Sequence, residues 1–199
     1  MLLEPIFDKT FIYDSYANRI GKGNLKAIQR FDSFVRKVSK NGKQNGWFNA
    51  NQIKGYCLKA DIKQYFQTVE HNILLDLIKQ KIKDENFINL IKKIVANFRI
   101  QRERESNKGM PIGNLTSQFF ANVYLNELDY FVKNKLKCKY YIRYVDDFII
   151  LHESKEQLEK WKKEISNFLK EKLKIELHPQ KSKIIPLSKG IDFLGFRNF

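Results

Sequence analysis

Tyr140-Tyr141-Ile142-Arg143-Tyr144-Val145-Asp146-Asp147-Phe148-Ile149-Ile150-Leu151 reads as two β-rich runs, Tyr140 to Arg143 and Phe148 to His152, joined by a turn that carries two acids. Apolar residues crowd Asp146 and Asp147 on both sides. An ionised carboxylate in such company is costly unless a cation offsets it. Neighbouring strand residues point to opposite faces, so the two acids converge on one cation only if a turn lies at or beside them. On spacing alone, an ordinary polar hairpin turn competes with this metal-binding reading.

Upstream, Ile53 to Ala60 reads as a strand that runs into Asp61 and Ile62, placing a third acid at a strand end, where a helix N-cap is its alternative role. Asp61 and Asp146, with the Ile62 carbonyl, form a hard oxygen set suited to Mg²⁺. Two such ions would support in-line nucleotidyl transfer. Helical spacing marks Leu25 to Val38 behind Asn24, His71 to Ile82, Glu85 to Asn97, Thr116 to Val132 and the lysine-rich Ser154 to Lys172. Short strands are expected at Ile175 to Leu177, Ser182 to Ile185 and Ile191 to Phe196. Ser39 to Gly46, with two glycines and no apolar residue, predicts a flexible connection. The pattern is α+β, a mainly antiparallel sheet backed on one face by helices.

The chain has 199 residues, with 37 Lys+Arg against 22 Asp+Glu and a net charge of +15. Each quarter of the chain is net positive, so a folded surface carries the excess, and nucleic acid is the obvious polyanionic partner. The 43% hydrophobic fraction excludes intrinsic disorder, and no apolar run approaches the ~18 residues of a membrane span, so no membrane partner is expected. No export signal is evident, and Cys57 and Cys138 match neither a disulfide framework nor zinc spacing; the cytoplasm is the expected compartment. His71, His152 and His178 share no metal-like spacing. Arg99, Arg102 and Arg104 suit either a phosphate backbone or, alternating with Glu103 and Glu105, a solvated hairpin.

Three blocks together resemble the reverse transcriptases in composition and order: Leu58 to Phe66 around Asp61, Tyr140 to Phe148 as the Tyr-X-Asp-Asp hairpin, and Ile191 to Phe196 as the primer grip. Within the family, Gly109 to Leu125 has Ile112 and Gln118 where most members have Gln and Pro. This resembles the reverse transcriptases of diversity-generating retroelements, as does the fingers-like block Phe11 to Gly23, with Ile20 and Asn24 as departures. The resemblance implies an RNA-directed DNA polymerase that is error-prone opposite template adenine. A Gln beside the nascent pair can hydrogen-bond the incoming nucleotide and Ile112 cannot; simple packing of Ile112 is the alternative. A retron, group II intron or defence-type enzyme, and a non-catalytic binding palm, are the competing classes.

The resemblance assigns metal binding to Asp61, Ile62, Asp146 and Asp147, with two Mg²⁺ ions (Mn²⁺ as substitute), and proton donation to the leaving pyrophosphate to Lys181. It puts Arg19, Lys22, Phe66, Ile112, Gly113 and Gln118 against the nucleotide, Phe66 as the steric gate beneath the sugar, with core packing the alternative for Phe66 and surface solvation for Arg19 and Lys22. Tyr144, Val145, Leu194 and Gly195 would meet the primer, a β-bend being the alternative for Gly195. The implied partners are template RNA, primer or cDNA, dNTPs and a small basic accessory barrel protein. The implied fold is a polymerase right-hand palm: partial fingers over 1–50, palm over 51–190 with some fingers elements near 85–115, and a primer-grip strand over 191–199. No thumb is expected, and such a chain would bind primer-template weakly.

Overall fold

The computed structural model describes residues 3–44, 47–48, 53–96, 107–111, 113 and 115–198. In chain order the elements are α1 (Glu4–Phe7), α2 (Asn24–Val38), β1 (Lys43–Gln44), β2 (Trp47–Phe48), β3 (Tyr56–Ala60), α3 (Tyr65–Thr68), α4 (His71–Lys79) and α5 (Glu85–Ala96). There follow α6 (Leu115–Tyr130), β4 (Tyr140–Tyr144), β5 (Asp147–His152), α7 (Lys155–Phe168), β6 (Lys183–Pro186), β7 (Ile191–Phe193) and β8 (Phe196–Asn198). No helix among the described residues is long and apolar enough to cross a membrane.

The central sheet has the order β4-β5-β3-β6, with every neighbouring pair antiparallel. Along β5 the side chains alternate. Phe148 and Ile150 join a core built with α4, α5, α6 and α7, while Ile149 and Leu151 join a second core with Ala27, Phe31, Phe34, Val35 and Val38 of α2. The expected antiparallel sheet with helices is therefore present, but helices cover both of its faces. The uninterrupted apolar run Phe148 to Leu151 has this physical cause, since a strand buried on both sides needs no polar face. α6 is buried on nearly every side, which makes it the central post of the larger core.

Helix positions follow the 3.6-residue periodicity, and Ser154 caps α7 by accepting a hydrogen bond from the Gln157 amide at 3.0 Å. α2 begins at Asn24, but the capping position belongs to Gly23, whose φ of 111° suits glycine. Three expectations change. The connection after Ser39 contains the two-stranded ribbon β1-β2, Ile175 to Leu177 contributes only an isolated bridge from Leu177 to Ile62, and the expected primer-grip strand is a hairpin. In that hairpin Leu194 and Gly195 both have positive φ, 52° and 82°, the geometry of a two-residue turn between β7 and β8. Ile112 and the arginines 99, 102 and 104 lie outside the described residues.

Candidate active site

β3 and β5 pair in a register that sets Ala60 opposite Phe148. Extending the ladder by one residue brings Asp61 across from Asp147. The β4-β5 hairpin turns on Val145 and Asp146, with Tyr144 paired to Asp147, so both acids of the turn lie at the same end of the sheet as Asp61. Asp61, Asp146 and Asp147 line one open cleft of about 710 Å³, together with Lys59, Gln180, Lys181, Lys183, Ile185, Gly190 and Asp192.

The electrostatics of this cleft are those of crowded carboxylates. Burial, with Asp61 and Asp146 adding repulsion against the opposing pull of Lys59, pushes the Asp147 carboxyl up to about 6. Asp146 is raised as well, chiefly by burial. The Oδ1 of Asp147 is buried with no hydrogen-bond partner in the protein, an arrangement that is unusual for a native carboxylate and that a cation would satisfy. Among the described residues no three His, Cys, Asp or Glu side chains are grouped closely enough to hold a metal ion by themselves. The donor set fits an open site instead, one in which a hard cation keeps waters and takes substrate oxygens. Ile62 buries its side chain and bridges to Leu177, so only its carbonyl could serve a cation.

Lys181 enters the cleft by way of the loop after Leu177. The His178 amide donates to the Asp61 carbonyl at 2.7 Å, and the ring Nδ1 of His178 accepts from the amides of Gln180 and Lys181 at 3.2 and 3.3 Å. This turn lays the Lys181 ammonium 2.9 Å from Oδ2 of Asp61. The contact raises the lysine's affinity for its proton. Lys181 thus occupies the cation space at Asp61.

Other expected contacts are placed elsewhere. Arg19 is taken up by the fingers-like segment: Nε donates to Asp8 Oδ1 at 2.6 Å and Nη1 to the carbonyls of Ile12 and Ser15 at 2.7 and 3.0 Å, with 9% of its side chain exposed. A guanidinium so engaged buttresses its loop and has little left for a phosphate. Lys22 donates to the Tyr13 carbonyl at 2.8 Å and lies 3.4 Å from the centre of the Tyr13 ring, at the surface. Phe66 is half-buried against the larger core, with its ring 5.4 Å from that of Tyr65. Gly113 is exposed with φ 84°, and Gln118 is half-buried on the first turn of α6. Tyr144 and Leu194 pack against the smaller core, and Gly195 is exposed at its turn. None of these lines the carboxylate cleft.

Sequence reasoning missed Lys59 and Asp192, joined by a 2.7 Å hydrogen bond from Lys59 Nζ to the Asp192 carbonyl. It also missed a polar cluster behind the turn, formed by Asn122, Asp129, Tyr141 and Arg143. Asp129 could have been noticed as an acid on the apolar face of the α6 stretch, a position that demands a partner.

The family profile described as reverse transcriptase (RNA-dependent DNA polymerase) matches residues 4–198. Protein YkfC of Escherichia coli is 25% identical over 99% of this chain and 58% of its own length. The group II intron-encoded protein LtrA of Lactococcus lactis is 27% identical over 71% of this chain and 34% of its own. The chain thus spans between about a third and three fifths of these relatives. The structure of apo telomerase from Candida tropicalis superposes with a TM-score of 0.69 at 16% identity, covering 98% of this chain and 38% of that one, and shows the same fold. With the ordered motifs, the carboxylate cleft and a match over nearly its whole length, this chain belongs to the reverse transcriptase family.

Proposed function

We propose that the chain is the catalytic palm of an RNA-directed DNA polymerase working by two-metal nucleotidyl transfer. The convergence of Asp61, Asp146 and Asp147 on one cleft, with an unpartnered Asp147 oxygen, is the observation that carries this reading. Asp61 and Asp146 would hold the metals through carboxylate oxygens, assisted by the Ile62 carbonyl, and Asp147 would complete the shell on the primer side. Bound Mg²⁺ or Mn²⁺ would supply charge neutralisation at the α-phosphate and lower the pKa of the primer 3′-hydroxyl. Lys181 must leave Asp61 for a metal to take that oxygen; once released, its ammonium is free to donate a proton to the departing pyrophosphate.

The names of the relatives support a group II intron-like enzyme, whereas the diversity-generating reading, with its low fidelity and accessory barrel protein, rests on Ile112, Gln118 and the fingers-like block Phe11 to Gly23. A Mg²⁺-dependent primer-extension assay on an adenine-containing RNA template, each dNTP supplied singly, separates them. Extension abolished by Asp146→Ala with Asp147→Ala supports the polymerase. Frequent misincorporation opposite adenine supports the retroelement enzyme, and faithful copying the intron-like one. RNA binding without any extension, with Mg²⁺ or Mn²⁺, would replace both with a binding palm.

A further inference from the structure

Arg143, the residue before Tyr144 in the hairpin motif, has no exposed surface, and its guanidinium is nearly saturated. Nε and Nη2 donate to the two carboxylate oxygens of Asp129 at 2.7 and 2.6 Å, while Nη1 donates to Asn122 Oδ1 at 3.0 Å and to the carbonyl of Val145 at 2.9 Å. Val145 is the first residue of the catalytic turn. Its φ is 55°, a left-handed conformation that a β-branched residue adopts only under constraint. Asp129 is fixed in turn by the Tyr141 hydroxyl at 2.7 Å, and Asn122 by a bond from its amide to the Ala17 carbonyl at 2.8 Å. The backbone of Arg143 also pairs with Asp14 and Tyr16 of the fingers-like segment.

We propose that Arg143 is a positioning residue of the active site. Its charged fork, anchored on Asp129 of α6, clamps the Val145 carbonyl and so holds the strained turn in the conformation that aims Asp146 and Asp147 into the cleft. A single hydrogen-bonding plane spans three partners on two elements, which no point charge can reproduce. The inference rests on the polymerase reading of the cleft and deepens it: the metal site depends on a residue that touches neither metal nor substrate.

The test compares Arg143→Lys and Tyr141→Phe in the full chain. Lysine keeps the charge facing Asp129 but loses the fork; the Tyr141 variant removes a buried hydrogen bond to Asp129 and leaves the clamp intact. Melting temperature, Mn²⁺ affinity by titration calorimetry, and kcat and KM for single-nucleotide extension are measured for each. Arg143→Lys is expected to lose about tenfold or more in both Mn²⁺ affinity and kcat, as removal of groups that orient metal ligands does, with the dNTP KM changed less than about twofold. Tyr141→Phe is expected to melt lower yet keep both within about twofold. Adding Val145→Gly to Arg143→Lys should restore part of the Mn²⁺ affinity, because glycine takes a left-handed φ without strain.

Wild-type Mn²⁺ affinity and turnover in Arg143→Lys would overturn the proposal, as would equal losses in Tyr141→Phe, which would reduce the cluster to plain stability. Should Arg143→Lys fail to fold, Asn122→Ala, which removes the other acceptor on Nη1 and keeps the Asp129 pair, carries the same test with about a threefold loss expected; no loss overturns it. A wild-type chain that binds Mn²⁺ without extending primers leaves the affinities to decide. One that binds no Mn²⁺ removes the polymerase reading and this proposal with it.

Discussion

Asp147 ionises in the folded chain only against burial and two neighbouring carboxylates, which move it from an ordinary 3.8 to about 6. The folded state therefore keeps a proton that the unfolded chain has already lost. Stability is greatest below the ordinary value, falls as pH climbs from 3.8 to about 6, and stays low above that, a total of roughly 3 kcal/mol. In EDTA, Asp147→Asn is expected to raise unfolding free energy by up to about 3 kcal/mol at pH 8 and hardly at all at pH 4. Urea unfolding of variant and native chain at the two pH values checks this, and a gain over the native chain no larger at pH 8 than at pH 4 refutes it. Added Mg²⁺ should stabilise the native chain far more than this variant. The three acids were legible in the sequence because charge among apolar residues demands an explanation. Lys59, Asp192 and Asn122 were not, because their partners lie far away in the chain. Arg19 shows the same limit: a cation beside a fingers-like motif suggests phosphate, and its bonds to Asp8 and two carbonyls depend on packing that the sequence does not display.

Among the elements, α2 depends most on tertiary context. Its amphipathic spacing predicted a helix, yet nothing local showed that it would close the second face of the sheet, where Phe31 packs 5.8 Å from Phe193 of β7. Phe31 is fully buried, so Phe31→Ala should cost ~3–5 kcal/mol and loosen the β7-β8 hairpin as well. Proteolysis at that hairpin in the variant, absent from the native chain, would show the coupling; a loss under 1 kcal/mol, on the order of an exposed site, would refute it. The hairpin was legible only as a possible bend at Gly195, because its apolar residues resemble one strand until the positive φ of Leu194 and Gly195 is known. Gly55 introduces β3 with φ 106°, and a Cβ there would stand 2.7 Å from Val38 Cγ1 and 3.1 Å from Leu187 Cδ1. Gly55→Ala should therefore destabilise the junction of α2 and β3 by more than about 1 kcal/mol, read as a lower denaturation midpoint at unchanged slope.

The molecule as a whole carries +15 while its candidate catalytic cleft gathers four acids, Asp61, Asp146, Asp147 and Asp192, against three lysines. Attraction for a polyanion must then come mainly from the rest of the surface, and the cleft opposes it until cations neutralise the acids. This charge was fully legible in composition; its separation from the acids of the cleft was not, because the lysines beside them come from β3, from the loop after Leu177 and from β6. Binding of a single-stranded template RNA should weaken steeply with salt, by about 300-fold between 50 and 200 mM if some six phosphates are contacted. In the absence of divalent cations, Asp146→Ala with Asp147→Ala should bind RNA at least as tightly as the native chain, because two repulsive charges are gone. Fluorescence anisotropy across a salt series measures both. A flat salt dependence would mean that the positive surface does not meet the phosphate backbone. Weaker binding by the double variant would mean that the acids hold RNA directly, against the metal-binding role the cleft supports.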